Sequence, residues 1–190
     1  MNIGIFSGSF NPIHIGHLIL ANYISEFTDI DEVWFLVSPQ NPLKNDNLED
    51  EQIRLEMVNL ALSGYPKLKA CDFEFSLPRP SYTVNTLDAL KKKYTEHKFS
   101  LIIGADNWKN FELWKDYKTI LNNFDIYIYP RLLFDIEASD ILKDNITILD
   151  SPIIEISSTF IRNSIKDKKN VKAFLSEKVY EYISKNNLYK

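Results

Sequence analysis

An α/β architecture, a doubly wound parallel sheet with helices on both faces and a C-terminal helical cap, is what this sequence predicts. Two observations carry that expectation. Short apolar runs alternate with stretches of helical period along most of the chain, and the chain opens on a strand, a glycine-containing turn and a helix. The 190 residues are 45% hydrophobic, and no Pro/Gly/Ser linker or internal repeat divides them, so a single domain over 1–190 is expected. Disordered, collagen-like and low-complexity readings are excluded by the normal apolar fraction and mixed charge.

The opening run Ile3-Gly4-Ile5-Phe6 reads as a buried strand, Ser7-Gly8-Ser9 as the turn after it, and 16–27 as a helix with Leu18, Ile19 and Tyr23 on one face. A second strand follows over 33–37 and a second helix over 51–62, with Ile53, Met57 and Leu60 inward. The next expected elements are a strand over 68–75, a helix over 83–94, a strand over 101–103 ending at Gly104, and a strand over 126–129 closed by Pro130. A last strand is expected over 153–156. Two helices then follow, over 158–165 and 171–185, the second with Val171, Phe174, Leu175, Val179, Tyr182 and Ile183 at helical spacing; they make up a helical part over 157–190 that caps the sheet. The polar, turn-rich stretch 39–50 is expected to be a mobile loop.

Charge and cysteine content narrow the function. With 22 Lys+Arg against 26 Asp+Glu the net charge is −4, which argues against a nucleic-acid binder, so any anionic ligand must be held by local groups. No run approaches the roughly 18 to 20 apolar residues that span a bilayer, and the start MNIGIFSGSF lacks the marks of a signal peptide; no membrane association and a cytoplasmic location are expected. The single cysteine, Cys71, has no partner for a disulfide or a metal cluster and is read as a small buried hydrophobe. In a doubly wound sheet ligands bind beyond the carboxyl ends of the strands, where the strand order reverses.

Two constellations should meet there. In the first, Gly8-Ser9-Phe10-Asn11-Pro12-Ile13-His14-Ile15-Gly16-His17, backbone N–H groups and two imidazoles follow the first strand and begin the first helix. Gly8 permits close backbone approach and Gly16 leaves room above the helix start, while His14 and His17, three apart, can converge on one phosphate ligand. A metal site on the two histidines is disfavoured, because no cysteine or acidic cluster accompanies them. The second constellation is Ile156-Ser157-Ser158-Thr159-Phe160-Ile161-Arg162. Ser157 or Ser158 caps a helix there, the first-turn N–H groups with the Ser158 and Thr159 hydroxyls form a second anion cradle, and Arg162 can fork onto phosphate oxygens.

These two patterns resemble the nucleotidyltransferase superfamily with the HxGH signature and its Rossmann-like sheet. Within it the chain resembles the bacterial nicotinate-nucleotide adenylyltransferases. Further matching stretches are Pro39-Gln40-Asn41-Pro42-Leu43-Lys44, Arg54 with Met57, Ser81-Tyr82-Thr83-x-x-Thr86-Leu87, Ile103-Gly104-Ala105-Asp106, Trp114, Tyr129-Pro130-Arg131 and the C-terminal Val179 to Tyr189 pattern. Asn11 stands where that family usually has Asp, and Ser7 where it often has Gly.

The resemblance implies adenylyl transfer from ATP to nicotinate mononucleotide, a step of NAD biosynthesis, with Mg²⁺ held mainly by the ATP phosphates and no metal site built by the protein. It places Gly8, Ser9, Phe10, His14, Gly16, His17, Gly104, Asp106, Ile156, Ser157, Ser158, Thr159 and Arg162 at ATP. Ser9, Lys44, Ser81, Tyr82, Thr83 and Trp114 go to the mononucleotide, and His14, His17, Lys44 and Arg162 to catalysis. Trp34 and Trp108 read as packing residues, and Arg54 and Arg131 as supports of phosphate or loop geometry. A homo-oligomer is allowed. Pantetheine-phosphate adenylyltransferase shares both phosphate motifs but lacks the Ser81 to Leu87 pattern. A class I aminoacyl-tRNA synthetase needs a longer chain. A non-catalytic nucleotide sensor should have lost one of His14, His17, Lys44 or Arg162, and all four are present.

Overall fold

The computed structural model describes residues 1–39, 48–134, 136 and 143–190. Six parallel strands form one sheet in the order β3-β2-β1-β4-β5-β6. In chain order they are β1 (Asn2–Gly8), β2 (Glu32–Val37), β3 (Leu68–Cys71), β4 (Lys98–Gly104), β5 (Asp125–Tyr129) and β6 (Ile146–Ile148). The central strands are near-continuous apolar runs because helices cover both faces. One face carries α1 (Ile15–Phe27), α2 (Glu51–Leu62), α6 (Ser158–Lys166) and α7 (Glu177–Lys185), joined in a core that includes Ala21, Ile24, Met57, Val58, Ile161, Val179 and Ile183. The other face carries α3 (Thr83–Lys93), α4 (Ala105–Lys109) and α5 (Tyr117–Asn123), packed through Leu87, Leu90, Ala105 and Ile120. The order reverses between β1 and β4, which fixes where a ligand crevice opens.

Several expected elements are corrected. β1 and β4 run further than their apolar cores, because backbone pairing continues through polar ends: Ser7 and Gly8 pair with Leu36 and Val37, so Ser7 belongs to the strand and not to the turn. The run 153–156 is not a strand. Pro152 supplies no N–H, Ile153 is half-exposed, and the edge position is taken by Ile146–Ile148. β3 stops at Cys71 and gives way to a 3-10 turn over Phe73–Ser76. The expected helix over 171–185 is split: a 3-10 turn over Lys172–Phe174 ends at extended Leu175, and α7 begins after Ser176. α4 and α5 are too short for a periodic signal and were not expected.

Two helix faces are also rotated from expectation. On α1 the buried side is Leu18, Leu20, Ala21 and Ile24, with Ile19 exposed. On α2 the inward side is Arg54, Met57, Val58 and Ala61, while Ile53 and Leu60 are only half-buried. α6 and α7 join α1 and α2 in one hydrophobic core, and Ser158 and Arg162 of α6 bond the loop beyond the carboxyl end of β1, as expected of a C-terminal helical cap. Cys71 is half-buried and its thiol is pushed up to about 11, first by burial, so it stays protonated. Trp34 packs edge-on against Tyr94 and Phe99, and Trp108 stacks on Phe111, both as packing residues. Among the described residues no helix is long and apolar enough to cross a membrane.

Candidate active site

The loop after β1 is fixed from below. Phe10, at φ 46°, folds its ring back over Gly8; a Cβ at Gly8 would lie 2.9 Å from that ring, so a larger residue there would displace it. The Phe10 ring is buried against Phe6, Phe35 and His17, so its expected contact with ATP is left to its backbone, and its side chain is a floor for the histidines.

His14 is the N-cap residue of α1 and His17 its third residue, and the His14 backbone N–H donates to His17 Nδ1 at 3.2 Å. The two rings stack with centroids 3.6 Å apart. Both imidazoles are held neutral. Burial pushes His14 down to about 4, with the Arg131 guanidinium adding to the shift. Burial lowers His17 well below its ordinary range, helped by His14 and Arg131. With Nδ1 accepting, the neutral His17 ring carries its proton on Nε2, a donor without a formal charge. Gly16 is explained by the protein itself, since a Cβ there would press on His14 Nδ1 at 3.1 Å and Ile154 at 3.3 Å.

The neutrality of His14 has a pH signature. The unfolded imidazole protonates near 6.5 and the folded one near 4, so the neutral ring's contribution is complete above pH 6.5 and is lost as pH falls toward 4. Between pH 8 and 5 the wild type should lose about 2 kcal/mol more stability than His14→Asn, read from denaturant midpoints. Parallel pH dependence of the two proteins would show that His14 is not desolvated in the fold.

The second constellation locks onto the first. Ser157 caps α6 by accepting from the Phe160 N–H at 3.1 Å. Ser158 Oγ donates to the Pro12 carbonyl at 2.8 Å, so its proton joins the two motifs and is not held out for phosphate. Arg162 donates to the Asn11 carbonyl at 2.8 Å and to Thr159 Oγ1 at 3.3 Å. Asn11 Oδ1 in turn accepts from the Tyr189 hydroxyl at 2.8 Å and the Glu49 N–H at 3.3 Å, so this residue works as a strut of the loop. Arg54 is buried and donates to four carbonyls, those of Ser9 (2.6 Å), Ser38 (2.8 Å), Glu49 (2.9 Å) and Pro39 (3.1 Å), which settles it as a support of loop geometry. Lys44 lies outside the described residues.

Two clefts open at the switch point and share Phe6 and Tyr129 as a common wall. The smaller is lined by His14, Gly16, His17, Arg131, Ile154 and Ile156; the expected last strand thus forms a groove wall. The larger, a cavity of about 210 Å³, is lined by Gly8, Ser9, Ser81, Tyr82, Thr83 and Trp114, among others. Gly104, expected at ATP, lines this second cleft. Asp106 lines neither cleft; its buried Oδ1 lies 3.7 Å from Arg131 Nε, with neither atom hydrogen-bonded. Sequence reasoning missed Glu74. This buried side chain lines the larger cleft and accepts from Ser81 Oγ at 3.1 Å and Thr86 Oγ1 at 2.9 Å, so the Ser81 hydroxyl is turned away from ligand. An acid in a 3-10 turn gives no sequence signal of its own. Among the described residues no three His, Cys, Asp or Glu side chains gather as a metal cage.

Comparison with known proteins agrees with this geometry. The model of the cytidylyltransferase-like family matches residues 5–164. The "Probable nicotinate-nucleotide adenylyltransferase" of Flavobacterium johnsoniae is 53% identical over 192 residues, covering all of both chains. The protein of the same description from Bacteroides fragilis is 52% identical, covering 95% of this chain and 90% of its own. The fold is shared with Plasmodium falciparum nicotinic acid mononucleotide adenylyltransferase complexed with NaAD, at a TM-score of 0.82 and 21% identity over 99% of this chain and 97% of that one. A loop after β1 carrying two histidines, a second motif bound to it by Ser158 and Arg162, and identity of 52 to 53% along nearly the whole chain lead to one conclusion: the chain belongs to the cytidylyltransferase-like family and, within it, to the nicotinate-nucleotide adenylyltransferases.

Proposed function

We propose that this chain transfers the adenylyl group of ATP to nicotinate mononucleotide, giving nicotinate adenine dinucleotide and pyrophosphate. The observation that carries the reading is the pair of clefts meeting at one wall, Phe6 and Tyr129, at the switch point beside the histidine-bearing loop. Two ligands seated there present their phosphates to each other, and holding two polyanions in line removes most of the entropic barrier to a bimolecular transfer. A 5′-phosphate oxygen of the mononucleotide attacks the α-phosphorus of ATP, the bond to the β-phosphate oxygen breaks, and pyrophosphate carries the electron pair away.

In this reading His14 and His17 face the triphosphate, with His17 nearest the α-phosphate and donating from Nε2. Thr159 and Arg162 serve the β and γ groups, and Ser158 contributes through the loop it holds. Lys44 brings a positive charge to the reacting phosphates. Asp106, ion-paired with Arg131 at 3.7 Å, takes sugar hydroxyls, for which a carboxylate is an acceptor. Tyr82, Thr83 and Trp114 enclose the nicotinate ring, with the indole as a stacking surface. The groove's groups are mainly N–H donors, which suit phosphate oxygens better than a cation, so Mg²⁺ would enter on ATP and be held mainly by its phosphates, neutralising part of their charge.

The test is pyrophosphate release from ATP and Mg²⁺ with nicotinate mononucleotide, nicotinamide mononucleotide, phosphopantetheine and flavin mononucleotide in parallel. Fast turnover with the first and much slower turnover with the others is expected. Preference for phosphopantetheine would move the chain to pantetheine-phosphate adenylyl transfer. Silence with all four in a protein that binds ATP would make it a nucleotide sensor.

A further inference from the structure

The acid and amide forms of the mononucleotide differ by one negative charge at the ring's edge, so discrimination between them needs a group that responds to charge. Two hydroxyls of the Ser81 to Leu87 stretch are not free to serve that edge. Ser81 and Thr86 both donate to Glu74, at 3.1 and 2.9 Å. Thr83 lines the cleft, but a neutral hydroxyl can donate to a carboxylate oxygen and to an amide oxygen, and separates the two less sharply than a full charge does. The Glu74 carboxylate itself opposes an acidic ring.

One cation lines this cleft among the described residues. Lys115 follows Trp114 and holds its ammonium 4.5 Å from the centroid of the Tyr82 ring, a cation–π contact that tethers it at the rim of the cleft. We propose that Lys115 selects the acidic ring over its neutral amide counterpart. Its charge offsets Glu74 and pairs with the ring carboxylate, while Tyr82 fixes its position at the rim. This inference rests on the function proposed above and adds to it the residue that sets acceptor specificity. Lys115 is exposed, so its replacement does not threaten the fold.

The experiment compares kcat/KM for nicotinate and nicotinamide mononucleotides, at saturating ATP, in the wild type, Lys115→Met and Lys115→Arg. The acid-over-amide ratio should fall about tenfold in Lys115→Met, through KM for the acid, as for loss of one charged hydrogen bond in a partly enclosed site. Lys115→Arg should retain the ratio, and KM for ATP should stay within twofold in both. A Lys115→Met ratio within twofold of wild type, or a rise in KM for ATP parallel to that for the acid, would overturn the assignment. A folded wild type that makes no dinucleotide from nicotinate mononucleotide would overturn the proposed function and this inference together; an active wild type with an unmoved ratio overturns only the latter.

Discussion

His17→Ala is expected to lower kcat by roughly 10² to 10³ while the protein stays folded, the range for losing one donor aimed at charge that develops in the transition state. The magnitude follows from how the ring is held. Its Nδ1 accepts the His14 N–H, its face lies on His14, and Phe10 and Phe6 meet it edge-on, so Nε2–H is presented with little freedom to reorganise. Because neither histidine is charged at neutral pH in the free protein, the rate should not follow an imidazole titration between pH 6.5 and 8. Steady-state kinetics with unfolding monitored in parallel decides the point. Near wild-type turnover in a folded His17→Ala protein would remove His17 from the reacting phosphates.

Arg54→Met is the second large effect, and it acts on stability first. The guanidinium is buried and satisfies carbonyls from three separate segments: Ser9 beyond β1, Ser38 and Pro39 beyond β2, and Glu49 before α2. Methionine fills similar volume but leaves those acceptors without that donor, each an exposed or desolvated loss of about 1 kcal/mol or more. A destabilisation of roughly 3 to 5 kcal/mol is expected, equivalent to a Tm lower by roughly 10 °C in a chain of this size. Ser9 lies in the phosphate loop and Pro39 and Glu49 flank the Lys44 segment, so kcat should fall too, measured where the variant is still folded. Arg54→Lys, with one ammonium for four carbonyls, should recover only part of either loss. A Tm within 2 °C of wild type for Arg54→Met would show that the carbonyls find other partners.

The parts of this molecule that were legible in sequence are those encoded locally. Ile3 to Phe6 followed by Gly8 and the paired histidines predicts both the strand and the loop, and Ser157 does cap the helix that carries Arg162. The illegible parts depend on what lies across space. Arg54 is expected to support phosphate or loop geometry, but that it does so as one of the most buried side chains follows only from three loop ends converging on it. The run Ile153 to Ile156 has the composition of a strand, and only its place beyond an already complete sheet edge makes it a groove wall. Glu74 and its two hydroxyl partners are separated by 7 and 12 residues without shared periodicity. Asn11 stands out in sequence only as a departure from the family's usual Asp, and the service of its amide oxygen to Tyr189 is not encoded nearby.

The bond between Asn11 and Tyr189 spans 178 positions, and those from Arg162 and Ser158 to the same loop span 151 and 146. The loop after β1 therefore stays unsecured until residues 146 to 178 positions further along the chain have been made. Its final shape arrives in one late step, when α6 and the segment carrying Tyr189 dock on it. Contacts of such sequence separation make the loop after β1 one of the last parts to order on refolding, because closure over that distance must precede any gain from them.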